Sequence, residues 1–264
     1  MKHLKLPSVK AHAFMLYLTT IFTAMVSFNS QAVSLSAYRI YLDKENRNDT
    51  FIIYNRDIDS QECKLSLAHN NFDDKGMMTK HLDQKLPDNS AKQWVRFSPK
   101  KFTLTPARAQ TVRFTMRRKA NKEPAEYRSY LVINCGAIQA DKATATAKVT
   151  VQPKLVHNVP IIARTGKLEA KVSFSNFILN DKKLTFNVLR SGTRSVYGKI
   201  ALFNKKTGKS LSSISGISIY PESSQTESHL NTQGVAVNDL LIRFTENTEF
   251  GGDLIVEQEI NLKE

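Results

Sequence analysis

Val112, Phe114 and Met116 alternate along the chain with Arg113, Thr115 and Arg117. A two-residue period places successive side chains on opposite faces of an extended strand, so this stretch has one face for a core and one for water. Related segments recur from end to end. "YRIYLD", "TFIIYN", "CKLSLAH", "WVRFSP", "FTLTP", "SYLVINC" and "KVTVQ" come first, then "KVSFSNFIL", "KLTFNVL", "GKIALFN", "LLIRFTE" and "DLIVEQEINL". They are short, rich in β-branched and aromatic residues, and separated by Asn, Asp, Gly, Pro and Lys clusters, the grammar of strands and turns. No long segment beyond the N-terminal leader carries a helical period. The pattern predicts an all-β chain of two immunoglobulin-like β-sandwich domains.

The first 32 residues stand outside that pattern. Lys2, Lys5 and Lys10 precede the uncharged run "AFMLYLTTIFTAMVSF", and the small residues Ser30 and Ala32 follow it. This is the three-part plan of a secretory signal, with cleavage expected after Ala32. The apolar run is short of the ~20 residues that a spanning helix needs. No later stretch is long and apolar enough to span, so the mature chain is not expected to insert into a membrane. Residues 33–264 suit two sandwiches of about 100 residues each. The boundary is expected near "VPIIARTGKL", where Arg164, Thr165 and Gly166 turn the chain. That assigns 33–164 to a first domain and 165–264 to a second.

Export shapes how charge and cysteine are read. The formal charge is +14, with three of the cations in the leader. A basic surface suits nucleic acid, anionic lipid or an acidic partner, and export argues against nucleic acid. Two cysteines in an exported chain suggest one disulfide. Leu65 and Leu67 follow Cys63 by twos, and Leu131 and Ile133 precede Cys135 by twos. Each thiol therefore points with the apolar face of its strand, and antiparallel pairing of the two strands would bring the thiols together. A Cys63–Cys135 bridge closes a loop of about 70 residues, worth ~4 kcal/mol by chain entropy.

The residues of catalysis are not assembled. His3, His12, His69, His81, His157 and His229 show no metal-ligand spacing, and the cysteines form no CxxC. There is no phosphate-binding glycine loop and no GxSxG elbow. The adjacent acids Asp73 and Asp74 read as a solvated turn. An exported all-β chain of this kind reads as a binding protein and not an enzyme, with no cofactor and no metal expected.

Four stretches, in order, resemble the periplasmic chaperones of the chaperone–usher pathway, which handle fimbrial and pilus subunits. "YRIYLD" is similar to the family's opening strand with its arginine, here Arg39. "FSPKKFTLTPARAQTVRF" places Pro99, Pro106, Gln110 and Arg113 in the family's proline–strand–proline–Gln-x-x-Arg order. "EYRSYL" resembles the E-Y-R-S signature of the divergent, non-classical branch, and "VPIIAR" resembles that branch's Ile/Val-Pro-Ile/Val run followed by arginine.

The resemblance implies a mechanism. A subunit lacking its last strand has an open core and exposed edges, and the chaperone lends a strand from the end of its first domain to fill the gap. In this chain the lending strand falls in "ATAKVTVQPKLV", with Val149, Val151 and Leu155 sharing one parity and Pro153 interrupting the series. In the main branch the subunit's terminal carboxylate is held by an arginine on the first strand and a lysine on the last strand of domain one. Arg39 matches the arginine, but Pro160 stands at the lysine's place. Arg128, from the E-Y-R-S signature, is then the candidate for the second cation, because a guanidinium can grip a carboxylate with two parallel hydrogen bonds. The alternative leaves Arg128 exposed, paired with Glu123 or Glu126. Arg164 lies at the expected junction and is a candidate brace between domains. The implied location is the periplasm. The implied partners are fimbrial or pilus subunits and an outer-membrane usher, while self-association of the free protein stays open. The rival reading is a structural or adhesive β-sandwich component of a surface fibre.

Overall fold

The computed structural model describes residues 33–73, 77–80, 85–117, 123–138, 155–223 and 225–262. The expected leader, and Val149 and Val151 of the expected lending strand, lie outside the described residues.

The chain is all-β. Its first strands are β1 (Val33–Leu35), β2 (Ile40–Leu42), β3 (Asn48–Asn55), β4 (Gln61–Ala68), β5 (Asn70–Phe72) and β6 (Met78–Lys80). They continue as β7 (Val95–Ser98), β8 (Lys101–Leu104), β9 (Ala109–Met116), β10 (Ala125–Ala137) and β11 (Val156–Thr165). One sheet runs β1-β3-β9-β7, and a second runs β2-β11-β10-β4-β8. The two close on a common core that includes Phe51, Ile53, Phe114, Leu131, Ile133 and Ile161. On β9, Val112, Phe114 and Met116 are buried while Arg113 and Thr115 are exposed, as the alternation predicts.

Cys63 on β4 stands directly opposite Cys135 on β10 in antiparallel register, and the two are disulfide-bonded across 72 residues of sequence. Both are buried, which follows from each sharing parity with its strand's core leucines and isoleucines.

The remaining strands are β12 (Ala170–Asn180), β13 (Lys183–Gly192), β14 (Val196–Asn204), β15 (Ser210–Ile219), β16 (Gln225–Asn231), β17 (Leu240–Glu246) and β18 (Ile255–Glu259). The sheets β12-β13-β16 and β15-β14-β17-β18 enclose a second core, in which Phe174, Phe186, Leu202, Ile242 and Phe244 are central. A three-plus-four arrangement matches the strand count of a constant-type immunoglobulin sandwich.

The connection between the sandwiches follows from parity. On β11, Val159, Ile161 and Ala163 enter the first core. Ile162 and Arg164 point the other way, yet both are buried. The same holds on β10, where Tyr127, Leu131 and Ile133 face the core while Arg128 and Tyr130 are buried on the opposite face. That opposite face, at the corner formed by β2, β11 and β10, lies against residues of the second sandwich. The burial comes from the neighbouring sandwich, so it leaves no two-residue signature in either strand.

Candidate functional site

This buried corner gathers the arginines singled out by sequence. Arg39 immediately precedes β2, on the face opposite Ile40 and Leu42. Its guanidinium lies 4.2 Å from the ring centre of Tyr197 and donates from Nη2 to Ser218 Oγ at 2.8 Å and to Tyr220 Oη at 3.3 Å. Arg128 on β10 lies 4.3 Å from the ring centre of Tyr220 and 4.8 Å from that of Phe72. Tyr220 is thus a shared neighbour of both guanidinia, with its ring centre 5.8 Å from Arg39. Such contacts contribute about 0.5–2 kcal/mol each, more where water is excluded. The Nε atoms of Arg39 and Arg128 are buried and have no hydrogen-bond partner among the described residues.

Arg128 departs from the alternative of an exposed side chain paired with a neighbouring acid. It is not an exposed residue, since its side chain is only 3% accessible. Nor does it pair with Glu123 or Glu126. Its Nη1 and Nη2 donate to Oε2 and Oε1 of Glu222, each at 2.9 Å, a two-pronged pair with a carboxylate from the second sandwich. Nη2 also reaches the Asn70 carbonyl at 3.4 Å. The backbone N–H of Arg128 donates to Asn89 O at 2.7 Å, fixing β10 to the segment before β7. Burial pushes the Glu222 carboxyl up, but the Arg128 hydrogen bonds and charge, with help from Asn89, hold it below the usual value. The Tyr130 phenol is raised, chiefly by burial and then by its neighbour Tyr220.

Arg164 takes the partner that sequence had offered to Arg128. Its Nε donates to Glu126 Oε2 at 2.8 Å, its Nη1 to Gly251 O at 2.9 Å and its Nη2 to Ser195 O at 3.0 Å. Glu126 in turn accepts from the Ser195 N–H at 3.0 and 3.1 Å. The cross-strand register puts Glu126 opposite Arg164, so the pair is local to one sheet while its remaining bonds reach the other sandwich. Gly251 has φ +68, and a Cβ there would lie 2.2 Å from the Tyr41 hydroxyl. Glycine both permits the left-handed turn and lets the backbone pack against the Tyr41 ring. Burial pushes the Tyr41 phenol up to about 12, against the opposing charge of Arg164. Arg194 and Glu246 form another buried pair nearby.

Two clefts open along this corner. One of about 610 Å³ is lined in part by Tyr41, Arg164, Arg194, Gly251 and Asp253, and one of about 450 Å³ by Arg39, Tyr41, Ile52 and Phe250. Pro160, at the place of the family lysine, pairs in register with Tyr130, two residues along β10 from Arg128.

The start of β11 has a different character. β10 pairs with β11 from Val156 to Thr165, but β2 pairs only with Ile161, Ile162 and Ala163. Among the described strands, Val156 to Pro160 therefore has a partner on one side only. Leu155, just before β11, shares the parity of Val159 and Ile161. Those two are buried, whereas Leu155 is 57% exposed. The core parity of β11 thus continues, through the half-buried His157, to an apolar side chain outside the protein's own core, at an edge open among the described strands.

Among the described residues there is no group of three or more His, Cys, Asp or Glu that could hold a metal ion. No helix among them is long and apolar enough to cross a membrane.

Sequence reasoning missed Phe72, Tyr197, Tyr220 and Glu222. Glu222 lies in the turn "YPESS" between β15 and β16, which has the composition of any solvated turn, and its partner is 94 residues away.

No protein-family model matches the chain, and neither does any curated protein sequence. Several solved structures are similar. The YadV chaperone is 13% identical with a TM-score of 0.49, covering 86% of this chain and 99% of that one. The complex of the Salmonella enterica SafA pilin with the SafB chaperone matches at 13% identity and a TM-score of 0.47, covering 89% and 99%. The CsuC–CsuE chaperone–tip adhesion subunit pre-assembly complex, from archaic chaperone–usher Csu pili of Acinetobacter baumannii, matches at 10% identity and a TM-score of 0.48, covering 86% and 97%. Each of these similar structures contains a chaperone.

Proposed function

We propose that this chain is a periplasmic chaperone of the chaperone–usher type, which holds fimbrial or pilus subunits by lending them a strand and delivers them to an outer-membrane usher. The observation that carries the reading is the start of β11. Among the described strands its edge is open from Val156 to Pro160, and the parity of its core residues continues to the exposed Leu155. An unpaired edge with an apolar face is a liability unless something pairs with it. An incomplete sandwich that lacks one strand is the complementary shape, with backbone pairing giving affinity and alternate side chains giving specificity. The ordered run of motifs from Tyr38 to Arg164 supports the same reading.

In this reading residues 1–32 are the removed leader, 33–164 the subunit-binding domain and 165–264 the second domain. Val149, Val151 and Leu155 fill the subunit's groove. Arg39 and Arg128 receive the subunit's terminal carboxylate, and Arg164 braces the two domains. The test is co-expression in a periplasm with a panel of pilin-like subunits. The expected result is a one-to-one complex that dissolves when Leu155 and Val151 are both changed to Glu. Polymers of this chain itself, with no bound subunit, would instead assign it to the fibre.

A further inference from the structure

The Arg128–Glu222 pair is asymmetric. The guanidinium is fixed: it packs against Phe72 and Tyr220, its backbone N–H is bonded to Asn89 and its side chain is 3% exposed. The carboxylate is peripheral: Glu222 lies in the short turn after β15, its side chain is 27% exposed, and its other side-chain partner is Asn89 on the protein surface. Two parallel N–H···O bonds of 2.9 Å are the geometry that a chain-terminal carboxylate would make with the same fork. Both oxygens of Glu222 are engaged, so the fork cannot receive a second carboxylate in that way until Glu222 leaves.

We propose that Glu222 is an internal stand-in carboxylate, which occupies the Arg128 fork in the ligand-free protein and is displaced when a subunit's terminal carboxylate arrives. This rests on the reading of Arg128 as the carboxylate anchor. The stand-in keeps a buried guanidinium paired when no subunit is bound, which spares the cost of an uncompensated buried charge. It also sets a threshold. A ligand gains from the fork only what its own carboxylate achieves beyond that of Glu222, so the pair selects for a full set of additional contacts along the lent strand. Movement of Glu222 would carry the turn that follows Tyr220, the ring shared by Arg39 and Arg128, so that release at one arginine is felt at the other.

The experiment uses an N-acetylated hexapeptide of alternating valine and threonine ending in tyrosine, as the free acid and as the C-terminal amide. Binding is read by fluorescence anisotropy on the wild type, Glu222→Gln, Arg128→Ala and the double variant, each checked for folding by its thermal transition. Glu222→Gln should bind the free acid about ten-fold more tightly than the wild type, a difference of about 1.4 kcal/mol. The amide should be unaffected, and the gain should vanish in the double variant. If Glu222→Gln fails to fold, Glu222→Asp serves, since it keeps the charge but is one methylene too short for the two-pronged contact. No gain for the free acid, or an equal gain for the amide, overturns the stand-in role. If Arg128→Ala removes the preference for acid over amide while Glu222→Gln binds no more tightly, the anchor stands and the stand-in falls. If acid and amide bind alike to every variant, the anchor itself falls, and the stand-in with it.

Discussion

Arg164→Ala is the perturbation that most directly probes how the two sandwiches are held together. The guanidinium makes three strong contacts, to Glu126 at 2.8 Å, Gly251 O at 2.9 Å and Ser195 O at 3.0 Å. Its removal leaves the Glu126 carboxylate, whose side chain is 3% exposed, with the Ser195 N–H as its hydrogen-bond donor and only the more distant charges of Arg190 and Arg194 to offset it. Breaking one side of a buried ion pair costs about 3–5 kcal/mol, because the surviving charge stays desolvated. The adjoining cleft lets water approach, so the lower part of that range is expected. For a chain of this size about 3 kcal/mol lowers the melting temperature by roughly 6–12 °C. Calorimetry is the assay, because it also reports whether one transition splits into two as the sandwiches uncouple. Glu126→Ala should cost a similar amount, and the double variant should cost far less than the sum of the singles, with a coupling of about 2–3 kcal/mol. A loss below about 1 kcal/mol for Arg164→Ala, or simple additivity in the double variant, would refute the claim that this pair fastens the junction.

Replacing Cys63 and Cys135 together by Ala should cost about 4 kcal/mol by chain entropy for a 72-residue separation, and urea unfolding of the purified variant measures it. Arg128→Ala should lower stability by about 2 kcal/mol, because the side chain is buried and paired; a melting temperature equal to the wild type's would show that the Glu222 contact contributes nothing. Leu155→Glu should leave stability within about 0.5 kcal/mol, as expected for an exposed position, while abolishing capture of a pilin-like subunit; unfolding of the variant would place Leu155 in this protein's own core. Glu222 is held below its ordinary value, so the Arg128–Glu222 pair contributes fully above the unfolded carboxylate value of about 4.3 and loses its contribution as pH falls through the lower folded value. The stability gap between the wild type and Glu222→Gln should therefore be flat above about pH 5 and close as the pH falls through the lowered folded value, and a gap that widens on acidification would contradict the assignment.

The strands and the disulfide were legible in the chain because they follow a local rule. A strand with one wet face alternates, and Val112, Phe114 and Met116 announce their burial by spacing alone. Cys63 and Cys135 carry the parity of their neighbours, so their meeting needed only the antiparallel register that the structure supplies. The partners of the buried arginines obey no local rule. Glu126, two residues from Arg128, was the nearby candidate, but successive outward positions on β10 meet different parts of the second sandwich. Register gives Glu126 to Arg164, and the β15–β16 turn brings Glu222 to Arg128. A charged pair stores its free energy in a distance of a few ångströms and in the loss of water around it. Both are set by how one sandwich lies on the other. The order of residues determined which faces could be buried and which arginines would face outward, and only the tertiary contact between the sandwiches decided which carboxylate each arginine holds.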